Sequence, residues 1–272
     1  LIGWRGALGI KDEPQHFRQG KILEDQLKIL EIKYLILENR DKINSKLTKL
    51  IKYSVKKNVP VAILVKKETF KNYEPNPIKS KFTLSKKDFL ENFIPKINKK
   101  DTVLCTTGMI SRSVIKFLTE KKINGKNFFY NVGSMGHLSS IALGIALNKK
   151  NNVYCLDGDG SFLMHLGSLA IIGSMCLRNF KYILLNNGCH QSVGGQSTVS
   201  LNIDIKKIAE GFGFKYTKVS KGSRILNKEL SKFISIKNSG FLEILVNDGD
   251  EGNLPRPNKS LIKYKNDFIE SF

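Results

Sequence analysis

Gly158-Asp159-Gly160-Ser161 and, some 25 residues on, Asn186-Asn187 are the stretches whose reading decides this chain. Ahead of the first lies Val153-Tyr154-Cys155-Leu156, and ahead of the second Tyr182-Ile183-Leu184-Leu185. Both are short apolar runs rich in strand formers, and both read as buried strands. An Asp and an Asn therefore follow two successive strands, about one strand–helix–strand unit apart. Ligands of an open parallel sheet bind at that edge, beyond the carboxyl ends of the strands. Asp159 offers a hard anionic oxygen and Asn187 a neutral amide oxygen. Such a pair suits Mg²⁺, which completes its shell with phosphate oxygens and water. Gly158 and Gly160 let the backbone come close to a ligand. Ser161 is expected to cap the following helix, whose amino end favours a phosphate. The plain alternative is a pair of unrelated turns, in which Gly, Asp and Asn are common.

Outward from these stretches the same alternation continues. Strands are expected at 102–106, 128–130 and 241–246, with helical segments between them. Ser85 and Asp88 form a capping-box pair ahead of a helix ending near Pro95. The alternation argues an α/β fold, a mostly parallel sheet with helices on both faces. Upstream, helices are expected at 23–30 and 42–56, and strands at 34–37 and 59–65. Residues 71–83 hold Pro75 and Pro77 among Lys and Asn, and read as a linker. Three segments result: 1–70 from one α/β domain, the linker 71–83, and a second domain over 84–272. The chain opens on Leu1-Ile2-Gly3-Trp4, which reads as the end of a strand, so amino-terminal sequence is expected to be missing. Residues 247–257 read as a turn-rich surface tail.

The 272 residues carry 45 Lys and Arg against 24 Asp and Glu, a net charge of +21. Nucleic-acid binding is the function class such a charge suggests. The lysines are scattered among Asn and Ile along the whole chain, however, without aromatic interleaving or a zinc pattern. A solvated surface explains them, and no nucleic-acid partner is expected. No apolar run is long enough to cross a membrane. Cys105, Cys155, Cys176 and Cys189 form no CxxC pair and read as reduced thiols of a cytoplasmic protein.

The other strand ends carry Thr106-Thr107-Gly108, Asn131-Val132-Gly133-Ser134-Met135-Gly136-His137, and Gly188-Cys189-His190-Gln191-Ser192-Val193-Gly194-Gly195-Gln196. Small, polar, glycine-rich loops gathered at one sheet edge make a phosphate cradle. The GDGS and NN pair, with these loops, resembles the thiamine-diphosphate (ThDP)-dependent 2-oxoacid decarboxylases. Gly3-Trp4-Arg5-Gly6, Asp12-Glu13-Pro14-Gln15-His16 and the run from Asn186 to Gln196 resemble their phosphonopyruvate and sulfopyruvate branch.

The resemblance implies a ThDP-binding fold, with 1–70 the carboxyl-terminal part of a pyrimidine-binding domain and 84–272 the diphosphate-binding domain. It implies Asp159, Asn187 and the Cys189 carbonyl as Mg²⁺ ligands. Thr107, Gly108, Gly158, Gly160 and Ser161 fall where the diphosphate is held. Gly133 falls where a carbonyl meets the aminopyrimidine, and Met135 where an apolar side chain holds the cofactor bent. His190, His16 and Arg5 are candidates to face substrate; the plain readings are loop histidines and a surface arginine. His165 reads as a packed or interface histidine, and His137 as structural. The implied reaction converts 3-phosphonopyruvate to phosphonoacetaldehyde and CO₂. Sulfopyruvate is the alternative substrate, and a cofactor-binding half that works with a separate chain is the alternative role. The implied substrate is a small 2-oxoacid with a second anionic group, and the implied assembly a homo-oligomer. The family's activating Glu would lie upstream of Leu1, so residues 1–272 alone are expected to be inactive.

Overall fold

A computed structural model describes residues 1–38, 43–71, 81–249, 254 and 259–271. The chain divides into two compact units, Leu1–Glu74 and Pro75–Phe272. Residues 72–80 of the expected linker, and 250–253 and 255–257 of the expected tail, lie outside the described residues.

In the first unit β1 (Ile2–Gly3), α1 (Pro14–Ile29), β2 (Lys33–Leu37), α2 (Ile43–Lys57) and β3 (Val61–Val65) follow in order. The three strands form a parallel sheet in the order β1-β3-β2. Ile2 and Gly3 pair with Leu64 and Val65, so the opening residues are in strand conformation. The first helix starts nine residues earlier than its apolar pattern suggested. Pro14 sits in its first turn, where a missing N–H costs nothing. His16 therefore stands on a helix rather than in a loop. Trp4 is buried and its indole N–H donates to the Gly20 carbonyl of α1 at 2.9 Å.

The second unit runs α3 (Lys86–Phe93), β4 (Thr102–Cys105), α4 (Met109–Glu120), β5 (Phe128–Tyr130), α5 (Leu138–Asn148), β6 (Val153–Gly158), α6 (Asp159–Met164), α7 (Ser168–Met175) and β7 (Phe180–Asn186). It continues with β8 (Cys189–His190), β9 (Gln196–Ser197), α8 (Ile205–Gly211), β10 (Tyr216–Ser220), α9 (Ser223–Ser235), β11 (Gly240–Leu245) and α10 (Leu261–Ile269). Six strands form one sheet in the order β10-β11-β7-β6-β4-β5, every pair parallel. The capping box of α3 is formed: the Ser85 hydroxyl accepts from the Asp88 N–H, and the Asp88 carboxylate accepts from the Ser85 N–H at 2.9 Å. Along α4, Ile110, Val114, Phe117 and Leu118 recur at helical spacing and are buried. They share one core face with Phe89 and Phe93 of α3 and Leu226 and Leu230 of α9. The opposite face carries Leu138 and Ala142 of α5, Leu169 of α7 and Ile205 of α8.

This topology creates the site. The chain leaves β4 into α4 on one face and leaves the adjacent β6 into α6 on the other. Their carboxyl ends therefore open a crevice, the switch point of a doubly wound sheet.

All seven residues of β7 are buried, so its polar members need partners. Lys181, at the amino edge away from that crevice, donates to the carbonyls of Arg178, Ile236 and Asn238 at 2.8, 3.0 and 2.5 Å. Burial pulls its ammonium down to about 8. Lys181→Met should strand three carbonyls and destabilise the protein by about 2–4 kcal/mol. Urea unfolding checks this; an unchanged midpoint would show the carbonyls to be satisfied otherwise.

Candidate active site

A cleft opens beyond the carboxyl ends of β4, β6 and β7. Thr107, Met135, Asp159, Asn187, Cys189 and His190 line it, with Gly158, Gly160 and Ser161 in its floor. Each side chain is delivered by a loop that follows a buried strand.

Thr107 and Gly108 lead into α4. Gly108 takes φ +92°, a conformation that L side chains rarely adopt, and caps the helix with no side-chain hydrogen bond. The amino end of α4 can therefore present main-chain N–H groups to an anion.

Asp159 starts α6 and is 2% exposed. Its Oδ2 accepts from the hydroxyl of Thr198 and lies 3.0 Å from the Ser200 hydroxyl. Burial pushes its carboxyl upward, against the pull of those two hydroxyls. The Asn187 Oδ1 accepts from the Cys189 N–H at 3.2 Å, closing the loop on itself. Asn186 is structural instead. It donates to Glu243 Oε1 at 2.8 Å, and its own oxygen accepts from the Gly188 N–H at 3.0 Å.

Ser161 does not cap a helix. It lies inside α6, whose N-cap is Gly158, and its hydroxyl is the clasp between three loops. It accepts from the Gly136 N–H and from Thr106 Oγ1, both at 3.0 Å. The expectation failed because β6 runs two residues further than its apolar core, so the helix begins at Asp159.

A Cβ on Gly160 would sit 2.4 Å from His190 Nδ1 and 3.3 Å from Met135 Cε. The His190 ring and the Met135 side chain therefore close over Gly160. Gly133 takes φ +84°, and its carbonyl accepts from the Met135 N–H at 2.5 Å. His137 and His165 lie ring against ring, 4.0 Å between centroids, and both are exposed.

Arg5 and His16 sit in the first unit, where Asp12 organises both. Arg5 donates to Asp12 through Nε at 2.8 Å and Nη2 at 2.5 Å; Gly6 N–H and Glu13 N–H add 2.7 Å bonds. The guanidinium holds the Asp12 carboxyl well below the usual range. Asp12 thus stays ionised and pairs with His16 Nδ1 at 2.9 Å. Two of the five Arg5 N–H donors are engaged with Asp12, which leaves two on Nη1 and one on Nη2.

Several polar residues of the site escaped the sequence reading. Asp157 is buried and accepts from Tyr182 OH at 2.6 Å and Gly158 N–H at 2.9 Å. Thr198, Ser200 and Glu243 position Asp159 and Asn186. The signal was present: Glu243 is an acid inside an apolar run, and Asp157 directly closes one.

Chemically, the cleft combines one buried carboxylate, neutral amide and carbonyl oxygens, and an uncapped helix start. No group of three or more His, Cys, Asp or Glu able to hold a metal occurs among the described residues. A hard cation that takes few protein ligands and shares a phosphate suits such a donor set; a transition metal does not. All four cysteines are free, and no helix among the described residues is long and apolar enough to cross a membrane.

Comparison with known proteins agrees with this chemistry. Phosphonopyruvate decarboxylase from Streptomyces viridochromogenes is 28% identical over 94% of this chain and 68% of its own length. That of Streptomyces hygroscopicus is 26% identical over 93% of this chain and 66% of its length. The chain thus spans about two thirds of these relatives. Sulfopyruvate decarboxylase subunit beta from Methanocaldococcus jannaschii is 35% identical over 46% of this chain and 65% of its length. A solved structure of a thiamin diphosphate-dependent enzyme from Mycobacterium smegmatis matches 64% of this chain and 34% of its own, with TM-score 0.51 and 20% identity, a likeness of fold. The C-terminal TPP binding domain of thiamine pyrophosphate enzymes matches residues 106–244, about half of the chain and the loops from Thr106 to Ser192 that line the cleft, and the chain belongs to that family.

Proposed function

We propose that this chain forms the diphosphate-binding part, with a portion of the pyrimidine-binding part over 1–70, of a ThDP- and Mg²⁺-dependent decarboxylase of 3-phosphonopyruvate. The observation that carries the reading is the match to phosphonopyruvate decarboxylase over 94% of the chain, which extends through both units. The products are phosphonoacetaldehyde and CO₂.

Bound in the cleft, ThDP would supply the electron sink for decarboxylation. Asp159, Asn187 Oδ1 and the Cys189 carbonyl would hold Mg²⁺. Thr107, Gly108, Gly158, Gly160 and Ser161 would cradle the diphosphate. The Gly133 carbonyl would accept from the aminopyrimidine, and Met135 would support the bend of the cofactor. His190, His16 and the remaining donors of Arg5 would face substrate. Burial of Asp159, Gly160 and Ser161 in the cleft floor would strengthen the contacts made there. A homo-oligomer in the cytoplasm fits the reading, since free thiols are the usual state in a reducing compartment.

Sulfopyruvate is the second substrate reading, favoured by the beta-subunit match at 35% identity. That match also favours a cofactor-binding half that works with a separate chain.

A pocket built for a second anion would be left unpaired by pyruvate, at a cost of about 1–3 kcal/mol. Phosphonopyruvate or sulfopyruvate should therefore exceed pyruvate and benzoylformate by about tenfold or more in kcat/KM. The assay is CO₂ release by the natural protein with ThDP and Mg²⁺. Parity among the four acids would refute the substrate class, and preference for sulfopyruvate would replace the first reading by the second.

A further inference from the structure

Asp12 is the hub of a polar cluster on the first unit. Its side chain is 7% exposed, whereas the Arg5 side chain that it holds is 60% exposed. An exposed ion pair of two mobile side chains is worth little. Here one partner is buried and fixed, by the Gly6 and Glu13 N–H groups and by His16 Nδ1, and it fixes the other.

The edge by which the guanidinium is held decides what it can do. Nε and Nη2 form its side edge, and they donate to Oδ2 and Oδ1 of Asp12. The end edge, one N–H from each of Nη1 and Nη2, points away from that carboxylate. Its two parallel donors match two oxygens of one oxyanion. The framework beneath is tight. Trp4 is buried and donates its indole N–H to the Gly20 carbonyl of α1 at 2.9 Å. A Cβ on Gly20 would run into the Arg5 and Gly6 carbonyls, and one on Gly6 into the His16 carbonyl. The Arg5 main chain therefore lies on α1 with no room for a methyl between them. The fork is oriented before a ligand arrives, so binding does not have to order a long side chain.

The reaction says which anion suits it. A 2-oxoacid with a second anionic group carries two anions, and its carboxylate leaves as neutral CO₂. A fork on the carboxylate would hold the ground state more tightly than the transition state and slow that step. A fork on the second anion holds a charge that persists throughout.

We propose that Asp12 is a positioning residue that locks Arg5 as a two-pronged receptor for the second anionic group of the substrate, a phosphonate or sulfonate. The proposal rests on the reading of this protein as a decarboxylase of such acids. Asp12 acts through Arg5, and that gives its substitution a diagnostic sign. By charge alone, removing a carboxylate beside a bound anion should tighten the anion. By positioning, it should loosen it.

The test compares kcat/KM for phosphonopyruvate and for sulfopyruvate with that for pyruvate, in the natural protein and its variants, with ThDP and Mg²⁺. Asp12→Asn and Arg5→Met should each lower the ratio to pyruvate by about tenfold or more. Arg5→Lys should lower it nearly as far, because an ammonium keeps the charge and loses the fork. Added guanidinium ion should restore part of the ratio to Arg5→Ala, and none when Asp12→Asn is present as well. A raised or unchanged ratio in Asp12→Asn would overturn the positioning role. So would equal losses on all three acids with a lowered melting temperature, the mark of a structural residue. If Asp12→Asn does not fold, Arg5→Lys and the guanidinium rescue of Arg5→Ala decide, and a full ratio in the first or no rescue in the second overturns the proposal. A wild type that treats the three acids alike would overturn the substrate reading and this proposal with it. A wild type that prefers the two dianionic acids, with Arg5→Met preferring them equally, would overturn this proposal alone.

Discussion

Asp159→Asn is expected to abolish Mg²⁺-dependent ThDP binding and, at the same time, to make the ligand-free protein more stable. The carboxylate is 2% exposed, and burial raises its pKa above the unfolded value. The folded state then binds this proton more tightly than the unfolded chain. Stability from this group is accordingly lost as pH rises through the interval between the unfolded and the folded pKa. At neutral pH the buried charge is a net cost to the empty fold. Asn keeps the shape and still offers Oδ1 to the hydroxyls of Thr198 and Ser200, so those contacts survive. What it cannot supply is the negative charge that a divalent cation requires. Affinity for ThDP with Mg²⁺ should fall by about 100-fold or more, since changes merely behind a metal ligand already cost 10–100-fold. In the wild type, Mg²⁺ and the proton compete for one carboxylate, so cofactor affinity should also weaken as pH falls toward the Asp159 pKa. Calorimetry with ThDP and a thermal melt without it make the pair of measurements. An Asn variant that binds ThDP like the wild type would remove Asp159 from the metal site. A lowered melting temperature would show that its charge supports the empty fold.

The second unit was legible because each strand that feeds the cleft is a short apolar run closed by Gly, Asp, Asn or Thr. The sheet core from β4 to β7, and β11, followed from that pattern, and so did the α3 capping box. β10 did not. Tyr216-Thr217-Lys218-Val219-Ser220 is an edge strand paired on one side only, and it carries polar residues that a buried strand would not. α10 was missed because nothing in its sequence refers to the site; it packs on the opposite edge, where Phe268 meets Phe129 and Tyr264 meets Tyr130. The start of α1 was missed because its first two turns, from Pro14 to Lys21, bury only Gly20, and the apolar spacing begins at Leu23. Of the site, the residues on glycine-rich loops were readable one by one. Their supports were not, since Ser200 and Glu243 come from segments far along the chain and reach Asp159 and Asn186 only through the fold. The role of Asp12 was hidden for a related reason. Its four-residue neighbourhood names an acid, but only geometry shows that Arg5, two backbone N–H groups and His16 converge on it.

Gly160→Ala is expected to produce a protein that folds normally and turns over about 100-fold more slowly. The added methyl would lie 2.4 Å from His190 Nδ1 and 2.5 Å from Cε1, closer than real carbon contacts allow. Gly160 is helical, in α6, and alanine is the better helix former there, so the backbone has no reason to yield. The His190 ring must move instead, and Met135 Cε, 3.3 Å from the same methyl, limits where it can go. A displacement of about 1 Å at a reacting centre can cost 10²-fold in rate. The glycine could also be needed for a different reason, the close approach of the diphosphate to the backbone, and a double-mutant cycle with His190→Ala separates the two. If His190 is what the methyl disturbs, Gly160→Ala should cost little in ThDP affinity, and little further in kcat once His190 is alanine. If the phosphate is what it disturbs, the loss of ThDP affinity should be the same with either residue at 190. The first outcome supports a substrate-facing role for His190, because its exact placement then sets the rate. The second removes that support and leaves Gly160 as part of the cofactor cradle. Full activity of Gly160→Ala would refute both, since it would mean that neither the ring nor the phosphate lies where the cleft geometry puts them.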